Sequence, residues 1–262
     1  MIRKIRIAIL LFILATVAIA SWKADKAATD WNDSLHVTLY PIPADGSETS
    51  RHYVERLQKE DFQDFPIWLE EEIRRYNNPL LRPVSIQLAP PLEAQPPEFP
   101  SDGNMLATLW WSLHLRYWAW RHDAAPGPRP DVRLFLLYHD PQQISVLEHS
   151  VGLDKGKLGL VKLFASRADS ARNLVILAHE FLHTLGASDK YAPDGLHPRF
   201  PDGYAEPALE PRYPQRFAEI MGGRLPLNDA SSRIPESLNE TLIGDLTAQE
   251  IGLIGLNKHP KR

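Results

Sequence analysis

Apolar and polar positions along the first part of the chain predict strands and helices that follow one another. The predicted strands are β-branched or nearly continuous apolar runs that end at turn residues, at 35–42, 84–89, 131–139 and 157–166. Between them, apolar residues at three-to-four spacing predict helical segments over 51–76, with a break at Pro66, and over 104–121. This order of elements favours an α/β domain with a mostly parallel sheet.

Two of these segments carry specific expectations. The helix over 104–121 has an apolar stripe rich in aromatic residues, which is typical of a face that packs in the core; its members are Leu106, Leu109, Trp110, Leu113, Tyr117 and Trp120. In the strand over 157–166, Lys157 and Lys162 are predicted to point outward, as charged residues do at the edge of a sheet. The pattern therefore predicts a buried aromatic helix and a sheet edge near Lys162.

A further amphipathic helix is predicted over 168–185, and it carries two imidazoles on one face. Its predicted core residues recur at helical spacing, and they are Leu174, Leu177, Ala178, Phe181 and Leu185. His179 and His183 lie four residues apart, so both side chains project from the same face. With Glu180 they form the motif H-E-x-x-H, in which two neutral imidazoles bind Zn²⁺ and the glutamate can act as a general base.

The residues after this motif supply a turn and a third ligand. Gly186 lies where a residue free to adopt a positive φ ends the helix and returns the chain toward the metal. Asp189 follows and offers a carboxylate. Two nitrogens and one oxygen make a three-ligand site with one open position, so we expect one zinc ion per chain. The alternative third ligands are His197, Glu206 and Glu219, and a glutamate in this role would make the site similar to that of the gluzincins.

The string HEFLHTLGASD, over 179–189, resembles the motif HExxHxxGxxH of the metzincin clan of zinc metallopeptidases. Asp189 stands in place of the last histidine, which is similar to the variant used by small secreted bacterial metzincins of the snapalysin type. The resemblance implies a methionine in a tight turn beneath the metal, the Met-turn. The segment EIMGG offers Met221 for this role, so the specific similarity covers residues 179–223.

The resemblance also implies a zincin fold and a division of the chain into two subdomains. The first, over 31–186, would contain the mixed, mostly parallel sheet and would end with the metal-binding helix. The second, over 187–262, would be irregular, with the Met-turn and a final helix over 247–256. A proline-rich segment over 191–217 would form one wall of the cleft.

A centre of this kind implies a zinc-dependent endopeptidase that hydrolyses peptide or protein substrates. Zinc would acidify a water and polarise the scissile carbonyl, while Glu180 takes the proton of the water and delivers it to the leaving amine. Several members of the clan stabilise the oxyanion with a tyrosine just after the Met-turn methionine, where this chain has Gly222, Gly223 and Arg224. We therefore predict that Tyr191 or Arg224 supplies this contact. The alternative function is a non-catalytic envelope protein that uses the zincin scaffold to bind a partner.

Composition and charge exclude several other kinds of site. The chain of 262 residues is 44% hydrophobic and 24% charged, as ordinary globular proteins are. It contains no cysteine, so any metal must be bound by His, Asp or Glu. A formal charge of −4 and a pI near 6.2 argue against a nucleic-acid partner, because binding to phosphates requires a basic surface.

The N-terminal residues predict where the protein is located. Basic residues at positions 3, 4 and 6 precede an apolar run in which only Thr16 is polar, and this run ends in Ala-Ile-Ala, the form of a cleavage site. Residues 1–20 are thus predicted to be either a cleaved signal peptide or a retained membrane anchor. In both cases 21–30 is a linker, and the domain over 31–262 is expected to be extracytoplasmic, that is secreted, periplasmic or tethered to the membrane.

Overall fold

A five-stranded sheet organises the part of the chain that the computed structural model describes, which is residues 28–100, 104–123, 125–144, 146–147, 150–153, 157–192 and 197–254, with positions 6, 12, 16 and 26. The strands are β1 (Leu35–Pro43), β2 (Val84–Leu88), β3 (Val132–His139), β4 (Val151–Leu153) and β5 (Leu158–Phe164). Their order is β2-β1-β3-β5-β4, and all neighbours are parallel except β4 and β5. The predicted α/β fold with a mostly parallel sheet is confirmed.

Most of the predicted leader, 1–20, and of the predicted linker, 21–30, lies outside the described residues. Of the helices that the structure describes, none is both long and apolar enough to span a bilayer. The location of the protein therefore stays a prediction from the sequence.

The helices of the described chain are α1 (Glu48–Glu55), α2 (Asp64–Arg75), α3 (Met105–Arg121), α4 (Ser170–Thr184) and α5 (Asp245–Glu250). The segment predicted over 51–76 does form two helices, but a 3-10 turn at Lys59–Phe62 separates them. The predicted break at Pro66 is wrong. Pro66 lies in the first turn of α2, where a residue without an N–H loses no intrahelical hydrogen bond.

Alternate residues of the strands build two cores on opposite faces of the sheet. One face packs with α2 and α4, and its strand residues include Val37, Leu39, Leu134, Leu136, Val161 and Leu163. The other face packs with α3, and its strand residues are Tyr40, Ile42, Phe135, Leu137, Leu158 and Leu160. The sheet therefore lies between α3 and α4, and β3 is buried on both faces as its apolar run predicts.

The apolar stripe of α3 that was expected to pack in the core is instead exposed to solvent. All six of its residues are more than half accessible to solvent, namely Leu106, Leu109, Trp110, Leu113, Tyr117 and Trp120. The helix packs on the sheet through Trp111, Leu115, Trp118 and Ala119. Both sets recur at helical spacing, because α3 is apolar around most of its circumference. Periodicity alone therefore could not identify the buried face.

The position of β5 in the sheet also differs from the prediction. It lies between β3 and β4 rather than at the edge. Lys157, just before β5, is buried, and the side chain of Lys162 is partly buried beside α4 rather than outward at an edge. The edge is formed by β4, which has only three residues and is too short for the hydrophobic pattern to predict.

The described residues after 186 contain little regular structure. Two-residue strands pair as β6 (Ala218–Glu219) with β9 (Thr241–Leu242) and as β7 (Leu225–Pro226) with β8 (Ser232–Arg233). The final helix, α5, ends at Glu250 rather than continuing to 256, and residues 255 and 256 lie outside the described chain. This part shares the core on the α4 side of the sheet, to which it contributes Ile220, Met221, Leu238, Ile243, Ala248 and Ile251.

Asp45 connects the end of β1 to α1 and β3. One carboxylate oxygen accepts from Ser47 N at 3.0 Å and from Ser50 Oγ at 2.6 Å, and the other accepts from Asp140 N at 2.5 Å. Burial opposes ionisation, but these donors outweigh it and lower the pKa of Asp45 to about 2. Because the folded-state pKa lies below the unfolded value of about 3.9, the stabilisation is present above pH 4 and is lost as the pH falls through 2.

We expect Asp45→Asn to lower the free energy of unfolding by up to about 2 kcal/mol at pH 7 and by much less at pH 2.5. Urea unfolding at the two pH values measures this difference. Glu48→Gln, which alters an exposed carboxylate in α1, is the matched control and should change stability by less than about 0.5 kcal/mol. An equal loss for Asp45→Asn at both pH values would contradict the assigned role of the charge.

Candidate metal centre

The predicted metal-binding motif lies on α4, which packs against the sheet with the five apolar residues that the sequence predicts. His179 and His183 are one turn apart, and both side chains are partly exposed on one side of the helix. Their Nε2 atoms are 3.0 Å apart. The helical spacing therefore brings two nitrogen ligands to one point.

Backbone carbonyls fix the orientation of both imidazoles. His179 Nδ1 donates to Ile220 O at 2.9 Å, and His183 Nδ1 donates to Ala187 O at 2.8 Å. Because a carbonyl oxygen can only accept, each Nδ1 carries a proton, so that Nε2 is the nitrogen left to bind a metal ion. Such hydrogen bonds orient histidine ligands in metal sites.

Asp189 completes a triangle of acceptor atoms. Its Oδ1 is buried and lies 3.2 Å from Nε2 of His179 and 3.1 Å from Nε2 of His183. Bonds of 2.0–2.1 Å to a tetrahedral zinc place two ligand atoms about 3.3 Å apart. Three lone pairs that face one another at this spacing repel unless a cation lies between them, so the donor set fits a zinc ion.

The charges around the triangle favour a cation. Burial opposes protonation of His179, but the carboxylates of Asp189 and Glu180 and the Ile220 carbonyl outweigh it and raise the pKa of His179 to about 9. Burial would likewise raise the pKa of Asp189, yet the two imidazoles hold it well below its usual range. The site therefore attracts positive charge, which either a proton or a metal ion can supply.

Glu180 lies beside the triangle in the same cleft. Its carboxylate is within 4.8 Å of the ligand atoms of both histidines. The cleft has a volume of about 330 Å³, and the described residues that line it besides the metal group include Leu147, Ser150, Lys162, Ile176 and Tyr191. This volume suits a segment of a bound ligand.

Gly186 turns the chain from α4 back to the site. Its φ of +104° is in the region that favours glycine, and its N–H donates to His183 O at 3.1 Å. The turn places the Ala187 carbonyl against His183 and then delivers Asp189. The predicted role of Gly186 as a helix-ending turn is confirmed.

Strand β4 approaches α4 closely beside the cleft. A Cβ atom on Gly152 would lie 2.4 Å from the Cβ of His183, so only glycine fits there without displacing the helix. The edge of the main sheet therefore runs next to the face of α4 that carries His179 and His183.

The segment that carries Met221 lies against α4. Met221 is fully buried in a 3-10 turn, Ile220–Gly222, which is followed by Gly223 at a φ of +69°. The turn makes two contacts with the centre, because Ile220 O accepts from His179 and Met221 O accepts from Lys190 N at 2.9 Å. The structure thus places Met221 in a tight turn next to the predicted ligands.

Glu219, one of the alternative ligands, is used inside this turn. It is fully buried, and its carboxylate accepts from Gly222 N at 2.7 Å, Gly244 N at 3.1 Å and Thr247 Oγ1 at 2.7 Å. Burial raises the pKa of Glu219, although these donors oppose the shift. Its oxygens bind the backbone of the turn and α5.

The other two alternative third ligands, His197 and Glu206, contact residues of the loop over 197–216. His197 Nε2 lies 3.2 Å from the Tyr204 hydroxyl, and Glu206 pairs with Arg216. Among the described residues, the group that could hold a metal ion contains His179, Glu180 and His183, and neither alternative belongs to it. Asp189 is not part of that group either, but its Oδ1 lies 3.1–3.2 Å from Nε2 of both histidines.

No protein-family model and no curated protein matches this chain. The assignment of the centre therefore rests on the motif and on the distances between its ligand atoms.

The structure separates the two predicted oxyanion stabilisers. Tyr191 lines the cleft, and its ring stacks on His179 with the centroids 6.4 Å apart. Burial and the neighbouring Asp189 carboxylate raise the pKa of Tyr191 well above its usual range, which keeps the hydroxyl a proton donor. Arg224 is partly buried after the Met221 turn and is absent from the described residues that line the cleft.

The proline-rich segment that was expected to form a cleft wall contributes Tyr191 to the cleft. Other aromatic residues of the segment contact one another instead. Tyr204 lies 5.3 Å from Phe200 between ring centroids, and its hydroxyl is 2.8 Å from that of Tyr213. These rings therefore hold the described part of the segment together, and residues 193–196 lie outside it.

Sequence reasoning missed two residues that hold Asp189 in place. Glu250 of α5 accepts from Ser188 N at 3.0 Å and from Ser188 Oγ at 2.7 Å, and it pairs with Lys190 Nζ at 2.6 Å. Lys190 is buried and donates to Ser188 O at 2.7 Å. Both neighbours of Asp189 are thus bound by one carboxylate sixty residues away along the chain, and no local pattern predicts such a contact.

Proposed function

We propose that this protein is a zinc-dependent endopeptidase with a metzincin-like centre. The proposal depends above all on one observation, the triangle of His179 Nε2, His183 Nε2 and Asp189 Oδ1 with sides of 3.0–3.2 Å. The mostly parallel sheet with an antiparallel edge strand beside α4, and the buried Met221 turn, support a zincin fold. The three ligands leave one tetrahedral position open, which favours a catalytic over a structural site.

The residues of the centre divide the chemistry of peptide hydrolysis among them. A bound zinc ion supplies a Lewis acid that acidifies water and polarises a carbonyl. Glu180 takes the proton of the attacking water on its carboxylate and delivers it to the nitrogen of the leaving amine as the C–N bond breaks. Tyr191 donates its hydroxyl proton in a hydrogen bond to the oxyanion.

Strand β4 is placed to hold a peptide substrate in an extended conformation along the cleft. It ends the sheet and passes so close to α4 that Gly152 contacts His183. An extended peptide that hydrogen-bonds to the outer edge of β4 would pass over the triangle with its backbone fixed. Recognition through backbone hydrogen bonds suits an enzyme that cleaves within a chain.

The first test is the zinc content of the purified protein, determined by elemental mass spectrometry without added metal. We expect about one zinc per chain. Near-zero zinc in a folded, monodisperse sample that does not take up added zinc would contradict the proposal. It would make the alternative of a partner-binding scaffold the leading one.

Replacing Tyr191 by phenylalanine tests the oxyanion contact. We expect Tyr191→Phe to lower kcat for a quenched peptide by about 100-fold, because one preorganised donor is lost, while KM and zinc content stay the same. Arg224→Ala is the comparison variant and should retain activity. The reverse result would assign the role to Arg224, and unchanged activity in both variants would exclude the two residues.

A further inference from the structure

The outward side of α3 is an apolar surface without a partner in the described structure. It consists of Leu106, Leu109, Trp110, Leu113, Tyr117 and Trp120, and we call it the α3 face. Trp110, Tyr117 and Trp120 are 72%, 60% and 70% exposed. These three rings alone expose roughly 400 Å², which is close to the largest apolar patch of a typical monomer, and the leucines enlarge it.

The residues of α3 that flank this surface are two arginines and a histidine. At 100° per residue, Arg116 flanks one side of the α3 face, and His114 and Arg121 flank the other. Residues 104–122 contain no Asp or Glu, although the chain as a whole has a net charge of −4. Of the nearest acidic residues on either side, Asp123 is paired with Arg133 at 2.7 Å, and Asp102 lies outside the described residues. Arg116 and Arg121 therefore place positive charge on both flanks of the α3 face, and the exposed Glu98 lies in the neighbouring segment whose Pro97 and Phe99 contact Trp111.

We propose that the α3 face docks on the surface of a membrane that contains anionic lipids. Tryptophan and tyrosine prefer the level of the lipid headgroups, and an apolar helix face with a basic border is typical of helices that lie in that interface. The arginines are placed to pair with anionic headgroups while the rings and leucines enter the acyl boundary. The inference is independent of the proposed peptidase activity.

The position of α3 in the fold is compatible with this contact. Its inner side is held on the sheet by Trp111, Leu115 and Trp118, so docking requires no unfolding. The centre on α4 belongs to the opposite face of the sheet. A membrane under the α3 face would therefore leave the cleft uncovered.

A local probe distinguishes this contact from any binding by residues 1–20. The chain has no cysteine, so Leu113→Cys provides a single attachment site for the environment-sensitive fluorophore NBD in the α3 face. The full-length labelled protein is mixed with vesicles of phosphatidylcholine and phosphatidylglycerol at 3:1, or with phosphatidylcholine alone. Ile67→Cys, an exposed apolar position in α2 on the other layer, is the matched control.

We expect the label at 113 to shift to the blue and to be quenched by bromine-labelled lipid on anionic vesicles, and the label at 67 to do neither. Trp110→Ser with Trp120→Ser should weaken the affinity for these vesicles, measured through the label at 113, by about tenfold or more. Both tryptophans are exposed, and circular dichroism checks that the fold is kept.

Three results would overturn the proposal. The label at 113 could remain in water although the protein sediments with vesicles, which would assign all binding to another segment. Both labels could respond alike, which would exclude a specific face. Alternatively, the label could shift without lipid in a sample that sediments as a dimer, which would show that the face binds a second copy of the chain.

Discussion

Glu180→Gln is expected to retain one zinc per chain and to lower kcat/KM for peptide cleavage by about a thousandfold. The amide keeps the size of the side chain but cannot accept the proton of the attacking water, and general base catalysis contributes about 10²–10⁴ in rate. The three ligand atoms are 3.0–3.2 Å apart without any part of Glu180, so the metal should stay bound. Cleavage of a quenched peptide library and elemental analysis measure the two effects.

Glu206→Gln is the control for this substitution, because Glu206 pairs with Arg216 away from the metal group. It should retain full activity. The same experiment separates the two functions that the sequence allows. A zinc-loaded wild-type protein that cleaves nothing in the library, or whose cleavage persists in Glu180→Gln, would argue for a scaffold that binds a partner.

The second large effect is expected for the third ligand. Asp189→Ala should lower zinc affinity by more than about 100-fold, because changes to residues that only support a ligand already cost 10–100-fold. The carboxylate is held by its neighbours Ser188 and Lys190, which Glu250 binds, so the alanine variant should keep the local backbone. Competition with a chelator measures the affinity, and circular dichroism checks the fold.

Two comparison variants make this result specific. Asp202→Ala removes an exposed carboxylate from the same part of the chain and should leave zinc affinity unchanged. Glu219→Gln should destabilise the Met221 turn, because three donors lose a charged acceptor, but it should retain zinc. Loss of zinc in Glu219→Gln with retention in Asp189→Ala would instead indicate a gluzincin-like ligand set.

The proposed activity and the proposed membrane contact concern opposite layers of the fold. The centre lies on α4, and the α3 face lies across the sheet. If both hold, a docked protein would act on substrates near the membrane, with its cleft directed away from the lipid. Failure of the vesicle experiment would leave the zinc and cleavage predictions unaffected.

The sequence alone determines those features of the protein that depend on interactions between residues close together along the chain. The spacing of His179 and His183 on one helix face, the turn at Gly186 and the apolar side of α4 all depend on the 3.6-residue repeat and on the conformational freedom of glycine. The alternation of strands and helices likewise predicted the mostly parallel sheet. These features appear in the structure at the predicted places.

Other features required the folded chain, because they depend on contacts between distant residues. The sequence of α3 is apolar on almost every side, so it does not show which side is buried. Only the packing of the helix on the sheet shows that Trp111 and Leu115, and not the outer stripe, are buried. Glu250 positions Asp189 by binding Lys190, and Ile220 orients His179; these two contacts span 60 and 41 residues. The edge strand β4 is too short to leave a pattern. Local periodicity thus predicted the candidate ligands, and long-range packing brought them together and left the α3 face exposed.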